Sequence, residues 1–258
     1  MSSISGIGSS LSNSYERLSS GLRINSAADD PAGLTIVEKD SAQATGLKVG
    51  ANNMATAKDA LNIADGALGS VNDYLQRIRE LAIGASNTAT VSESDRAAMQ
   101  AEVNQLMQGI SDVAKNTNYN TKPLLDGSNE SFGIATDANG SQMEVSTADV
   151  TLVALGIQGF DLTKDFDISV IDDAIAKVSE SRSSMGAQSN ALEHAIKYNN
   201  SAAQYVEAAK SRTEDLDFAE AITEQKKEEA LLQYTILMQK KKAEEQQNSA
   251  KKMFDYLT

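Results

Sequence analysis

The side chains able to do chemistry in this chain are few, and their spacing argues against most reactions. The one histidine, His194, follows Glu193 in the run ALEHAIKY. A zinc-protease helix needs a second imidazole one turn away, so that two ring nitrogens share the metal, and the chain has no second histidine. With no cysteine at all, a disulfide framework, a thiolate metal site and a thiol nucleophile are excluded together. The glycine-bearing runs SSGLRIN and GIGSS lack the lysine and the strand-to-helix setting of a phosphate loop. Asp29 and Asp30 stand directly before Pro31, where a carboxylate satisfies the free N–H groups of a starting helix. Late lysines are interleaved with Glu and Gln, the pattern of a solvated helix face. The expectation is a non-enzyme with no catalytic residue, cofactor or metal.

Partners are narrowed by charge and hydropathy. A net charge of −13 repels phosphate backbones, so nucleic acid is a poor partner. No apolar run approaches the roughly 20 residues that span a bilayer, and no membrane insertion is expected. The opening MSSISGIGSSLSNSYERL has neither a basic start nor an apolar stretch behind it, so it does not read as a cleavable secretory leader. Aromatics are 5% of the 258 residues with no Trp, which favours helices packed through small and medium side chains.

The elements follow from periodicity. From Pro31 to about residue 86 no proline intervenes, and Leu47, Met54, Leu61, Leu68, Leu75 and Ala82 recur every seventh residue. Ala57, Ala64, Val71, Ile78 and Ala85 form a second series, and together they make an a/d seam. Gly46, Gly50, Gly66 and Gly69 would weaken a lone helix of this length, so it needs partner helices. Thr90 with Glu93 suggests a capping box for a second helix over about 90–115, with Met99, Val103, Leu106, Ile110 and Val113 as its seam. A third helix is expected over about 166–212, through Ile171, Ile175, Val178, Met185, Leu192, Ile196, Ala203 and Val206. Its seam is interrupted at Arg182, Ser189 and Asn199, which either set register or face solvent. Residues 116–165 carry the turn signals Asp126-Gly127 and Asn139-Gly140, the latter between β-favouring fragments and so read as a hairpin turn. The last forty residues return to helix with a sparse apolar face (Phe218, Ile222, Leu232, Ile236) and end on Met253, Phe254, Tyr256 and Leu257. The fold class expected is mainly α, a long antiparallel coiled-coil-like bundle with a small β-hairpin region.

Residues 16–38, ERLSSGLRINSAADDPAGLTIVE, resemble the N-terminal region of bacterial flagellins. The likeness continues through 61–87, LNIADGALGSVNDYLQRIRELAIGASN, and the NTNYN run at 116–120. Residues 182–223 resemble the family's C-terminal half, and the segments occur in the expected order over more than half the chain. The resemblance implies a self-assembling subunit of the flagellar filament, secreted to the cell exterior unfolded through the flagellar type III export apparatus, with an export chaperone engaging the C-terminal region. It divides the chain into an inner-tube segment and spoke over 1–28, a helical core over 29–213 that includes the β-hairpin region 116–165, and a C-terminal inner-tube helix over 214–258. The large outer domains of many flagellins would fall between 127 and 165, where this chain has only about forty residues.

By the same resemblance, the LQRIREL segment is where the flagellin-sensing Toll-like receptor binds, with Gln76, Arg77 and Leu81 as contacts and Glu102 as the acidic contact on the next helix. Filament packing uses the same surface and is the bacterium's own reason for those residues. Two departures fall on the tube segments: only fifteen residues precede ERLSSGL, and the end, from EQKKEEALLQY onward, is more charged than the family's Gln/Ala-rich helix. Two other readings therefore stand beside the filament subunit: a protein of the hook–filament junction, and a secreted host-interaction ligand with reduced assembly.

Overall fold

The structure, a computed structural model, describes residues 2–87, 89–129 and 131–255, with side chains described between 6 and 250 in those ranges. Among the described residues six helices and four short strands occur in the order α1 (Ser2–Ser20), α2 (Pro31–Ala85), α3 (Glu93–Asn116), β1 (Asn118–Tyr119), β2 (Lys122–Pro123), β3 (Ser131–Ala135), β4 (Gln142–Ser146), α4 (Leu152–Leu155), α5 (Ser169–Glu214) and α6 (Phe218–Asp255). The chain is mainly α, as the periodicity implies. It divides into two compact units, one of residues 1–42 with 205–258 and one of 43–204.

In the unit of 43–204, cross-helix pairs fix the helix directions. Lys58 meets Glu193 at 2.9 Å, Asp65 meets Arg182 at 2.8 Å and Arg79 meets Asp172 at 2.6 Å, so residue numbers fall on α5 as they rise on α2. Arg77 meets Glu102 at 2.7 Å, and Gly84 lies beside Met99 while Gly109 lies beside Tyr74, so α3 also runs antiparallel to α2. These ion pairs are roughly half exposed, so solvent screens them and they add little to stability. Cohesion comes from the seam instead. Leu47, Met54, Leu61, Leu68, Leu75 and Ile78 are all buried, as are Val103 and Ile110 on α3 and Ile171, Val178, Met185 and Leu192 on α5.

Local rules explain the ends, and correct one expectation. The box that starts α3 is Ser92 with Asp95, two residues later than Thr90 with Glu93: the Ser92 hydroxyl accepts from the Asp95 N–H, and the Asp95 carboxylate accepts from the Ser92 N–H at 3.0 Å. Asp has one methylene fewer than Glu yet still spans the box, which propensity alone did not single out. Ser92→Ala is expected to lower stability by about 1 kcal/mol, read as a shift of the urea midpoint at unchanged slope. The hairpin turns where Asn139-Gly140 implies, through a six-residue loop: β3 and β4 pair from Ala135↔Gln142 outward, Thr136 donates to the Ser141 carbonyl, and Asp137 caps the loop by accepting from the Asn139 and Ser141 N–H groups. Gly140 supplies the left-handed residue at φ 81°. A two-residue turn lies at Asn120-Thr121, between β1 and β2, with φ of 47° and 66°. A β-branched residue in that region is strained. The one-turn helix α4, capped by Thr151 and ended by Gly156, was not legible as a period because it is too short to show one.

In the unit of 1–42 and 205–258, α1 and α6 run antiparallel. Leu22 pairs with Asp215, Ser14 donates to Glu228 at 2.7 Å and Tyr15 to Glu229 at 2.8 Å. Asp30 caps α2 by accepting from the Gly33 N–H at 2.8 Å, with Pro31 as first helical residue. Asp29 ties the connection down: it accepts from Arg17 at 3.1 Å, from the Asn25 and Ser26 N–H groups and from the Ser26 hydroxyl. The Arg17 guanidinium, followed by Ser26, holds its carboxyl well below the usual carboxylate range. A carboxylate whose folded pKa is depressed contributes above its unfolded value, near 4, and loses that contribution as pH falls through the folded value. Asp29→Asn should therefore be less stable than the parent at pH 7 by about 1–2 kcal/mol, with the gap closing below about pH 4; a gap constant down to pH 2 would remove the charge from the account. Of the terminal apolar group, Tyr256 and Leu257 lie outside the described residues, as do the side chains of Met253 and Phe254.

Candidate interaction surfaces

The titratable groups are arranged for structure. His194 is exposed on α5, and its neighbour Glu193 accepts from Lys197 at 2.8 Å and Lys58 at 2.9 Å. Those two ammonium groups, Lys197 foremost, lower the Glu193 carboxyl to about 2, so it is a fixed anion and not a proton carrier near neutral pH. Asp161 is likewise lowered to about 2, chiefly by the Thr163 hydroxyl in its own turn. Among the described residues no three His, Cys, Asp or Glu side chains converge as metal ligands, and no helix is long and apolar enough to cross a membrane.

Surfaces are more informative. Gln76 and Arg77 lie exposed on α2, and the Arg77 fork is shared: Nε donates to Glu102 at 2.7 Å and Nη1 to Glu80 at 2.9 Å. The two carboxylates raise the guanidinium pKa further, Glu102 contributing most. Of the four residues singled out by the LQRIREL likeness, Arg77 and Glu102 are thus joined and Gln76 is exposed beside Arg77 in the chain. Leu81, one turn on from Arg77, turns inward and is only 8% exposed.

Three features escaped the periodicity. Asn199, noted only as a seam interruption, is buried at 5% exposure and donates to the Leu47 and Thr136 carbonyls at 3.3 and 2.6 Å. It joins α5 to α2 and to the hairpin loop, which rests where Gly46 and Gly50 leave no side chain: a methyl group on Gly50 would run into the Thr136 carbonyl, and one on Gly46 into Ala138. Next, a mostly apolar cavity of about 220 Å³ opens between α2 and the strands, floored by Ala57, Ala60 and Leu61 and walled by Phe132 and Val145. Last, α5 carries an outward series of exposed residues at alternating three and four spacing, among them Ala187, Ala191, His194 and Tyr198. A series of small residues that faces water lacks the apolar contrast by which a seam is recognised, so only the burial pattern separates it from the inward one.

Comparison with known proteins gives these surfaces a setting. Residues 1–130 match the family described as the bacterial flagellin N-terminal helical region, and residues 168–250 match the bacterial flagellin C-terminal helical region. The chain is 38% identical to a flagellin of Halalkalibacterium halodurans over 216 residues, covering 81% of this chain and 79% of that one. It is 34% identical to a flagellin of Bacillus subtilis over 251 residues, covering 82% of each. Among solved structures it is similar to a Bacillus cereus flagellin, with a TM-score of 0.51 and 30% identity over 57% of this chain and 88% of that one.

Proposed function

We propose, from the premise that this chain belongs to the bacterial flagellin family, a division of labour along its helices. The chain is a structural component of the flagellar filament, extracellular and not an enzyme. We assign 1–28 and 214–258 to an inner tube and 29–213 to the core around it. The observation that carries the reading is the order of the two family regions, 1–130 and 168–250, around an insert holding nothing larger than a hairpin of two five-residue strands and a one-turn helix. In support, α6 is twice the length of α1, 38 residues against 19, and carries Leu231, Tyr234 and Leu237 exposed. Such apolar positions on a polar helix suit burial against further helices. Purified protein, seeded with sheared filament fragments, is expected to grow fibres visible by electron microscopy. A chain that stays monomeric at high concentration with seeds present overturns the assignment. Abundance in sheared filaments separates a bulk subunit from a junction protein.

Two finer roles belong to the same reading. The exposed C-terminal helix is the segment we assign to the export chaperone and the type III export apparatus. The patch around the Arg77–Glu102 pair, with the exposed Gln76 beside it in the chain and Leu81 one turn on, is the one we assign to the flagellin-sensing Toll-like receptor. A planar guanidinium already oriented by two carboxylates meets a partner with little entropy left to lose. Arg77→Ala is expected to weaken binding to the receptor ectodomain by about tenfold or more, and Glu102→Ala, which frees the fork, by less. Unchanged affinity in both would remove the patch from the receptor contact.

A further inference from the structure

A subunit that polymerises without closing needs two different, complementary surfaces on one molecule, because a knob and its hole at separate places join copies head to tail. The unit of 43–204 carries such a pair. On α5 the outward series Ser184, Ala187, Ala191, His194, Tyr198 and Ser201 is exposed throughout and holds no carboxylate, lysine or arginine. Its alternating three and four spacing is the one by which a helix lies along another helix. Tyr198 stands out of it at 71% exposure, the highest among the large apolar side chains of the described residues in this unit. On α2 a second uncharged, exposed series runs Val49, Thr56, Ile63 and Ser70, seven residues apart. Thr56 is also on the rim of the apolar cavity of about 220 Å³ floored by Ala57 and Ala60. Lys122 stands at the same cavity, its ammonium 5.3 Å from the Phe132 ring centre.

Building on the filament reading, we infer that the outward face of α5 docks on the α2 series of a second copy of this chain, with Tyr198 seated in that copy's cavity. Charge selects the occupant. Two chains of net charge −13 repel, and a contact made through these two uncharged series brings no carboxylate of either series against the other copy. A phenol suits the cavity because its ring meets the alanine and Phe132 lining while its hydroxyl stays at the polar rim. The small residues around Tyr198 let the helices come close, and tyrosine is a common energetic centre of interfaces.

The absence of native cysteine makes the test direct. A Tyr198→Cys, Thr56→Cys double variant, polymerised on seeds and mildly oxidised, should give a ladder of covalent dimers, trimers and higher species. Neither single variant nor the unpolymerised double variant should do so. Filaments that form without a ladder overturn the docking while leaving the filament reading intact; a parent chain that never polymerises overturns both. Tyr198→Ala, on an exposed site that folding does not use, should raise the threshold concentration for assembly by about tenfold or more, and Ala60→Phe, which fills the cavity, should do the same. An unchanged threshold for Tyr198→Ala rejects the inference even if Ala60→Phe fails to fold.

Discussion

Alanine at Gly50 will unseat the β3–β4 hairpin, at a cost of about 3 kcal/mol in the unit of 43–204. Two terms add. The new methyl group would stand inside the Thr136 carbonyl, a backbone atom that cannot swing aside as a side chain can, so the loop must lift. Lifting it breaks the bond from Asn199 to Thr136, and leaves a buried amide that now serves only Leu47. An unmade hydrogen bond at a buried group costs about 1–3 kcal/mol, of the same order as the overpacking itself. The Asn53 amide, which donates to the Ala135 carbonyl at 3.2 Å, is pulled the same way. Gly66→Ala is the internal control. It lies on the same helix with open space where its methyl group would go, so the usual helix preference for alanine should make that variant more stable by up to about 1 kcal/mol. Urea unfolding gives the two signs, and hydrogen exchange should show faster opening of 131–146 in Gly50→Ala alone. Equal effects at the two glycines would mean that the close approach of loop and helix contributes nothing.

That contrast marks how far sequence reasoning reaches here. The helices were legible because a long heptad leaves a strong signal: α2 begins at Pro31 and ends at Ala85, within a residue of the limits that proline, capping and periodicity suggest. The glycines were not legible in the same way. Read singly, Gly46, Gly50, Gly66 and Gly69 all count as weak points, and only the folded chain separates the two that admit a loop from the two that face open space. Asn199 repeats the lesson. As a polar interruption it had two equal readings, and burial against two carbonyls selects the one in which it fixes how helix and hairpin register. Arg182, another of the seam interruptions on α5, resolves differently, to a half-exposed pair with Asp65 worth little in stability.

The surfaces divide along the same line. Arg77 and Glu102 come together because α2 and α3 run antiparallel in the register that the buried seams dictate, which a motif match alone does not say. Leu81 was grouped with them by likeness, yet a residue four positions from Arg77 can share its face or turn to the core depending on where the seam lies. Here the seam passes through Ile78, Leu81, Ala82 and Ala85, and the inward choice wins.

Leu68→Ala should be the most damaging single truncation of the α2 seam, lowering the stability of the unit of 43–204 by about 3–4 kcal/mol. Leu68 is fully buried, and its seam neighbours Leu61, Ala64, Val71 and Leu75 are buried with it. Deleting an isobutyl group removes its transfer free energy, and a cavity remains unless neighbours move in; Ala64 has no side chain to lend and Val71 is stiff at its first torsion. Against this, Gly66 and Gly69 flank the site with free space around them and let the helix relax, which sets the expectation inside the upper limit of about 5 kcal/mol. Ile63→Ala separates burial from helix membership. It lies five residues away on the same helix but is 45% exposed, so it should cost less than about 1 kcal/mol in folding. In the docking argued above, Ile63 instead faces a second copy, and its truncation should raise the assembly threshold while leaving the urea midpoint almost in place. Leu68→Ala should do the reverse at low temperature, assembling normally while folded and failing only when unfolding sets in. A Leu68→Ala chain with an unshifted midpoint would show that the seam is not what holds α2 in this unit.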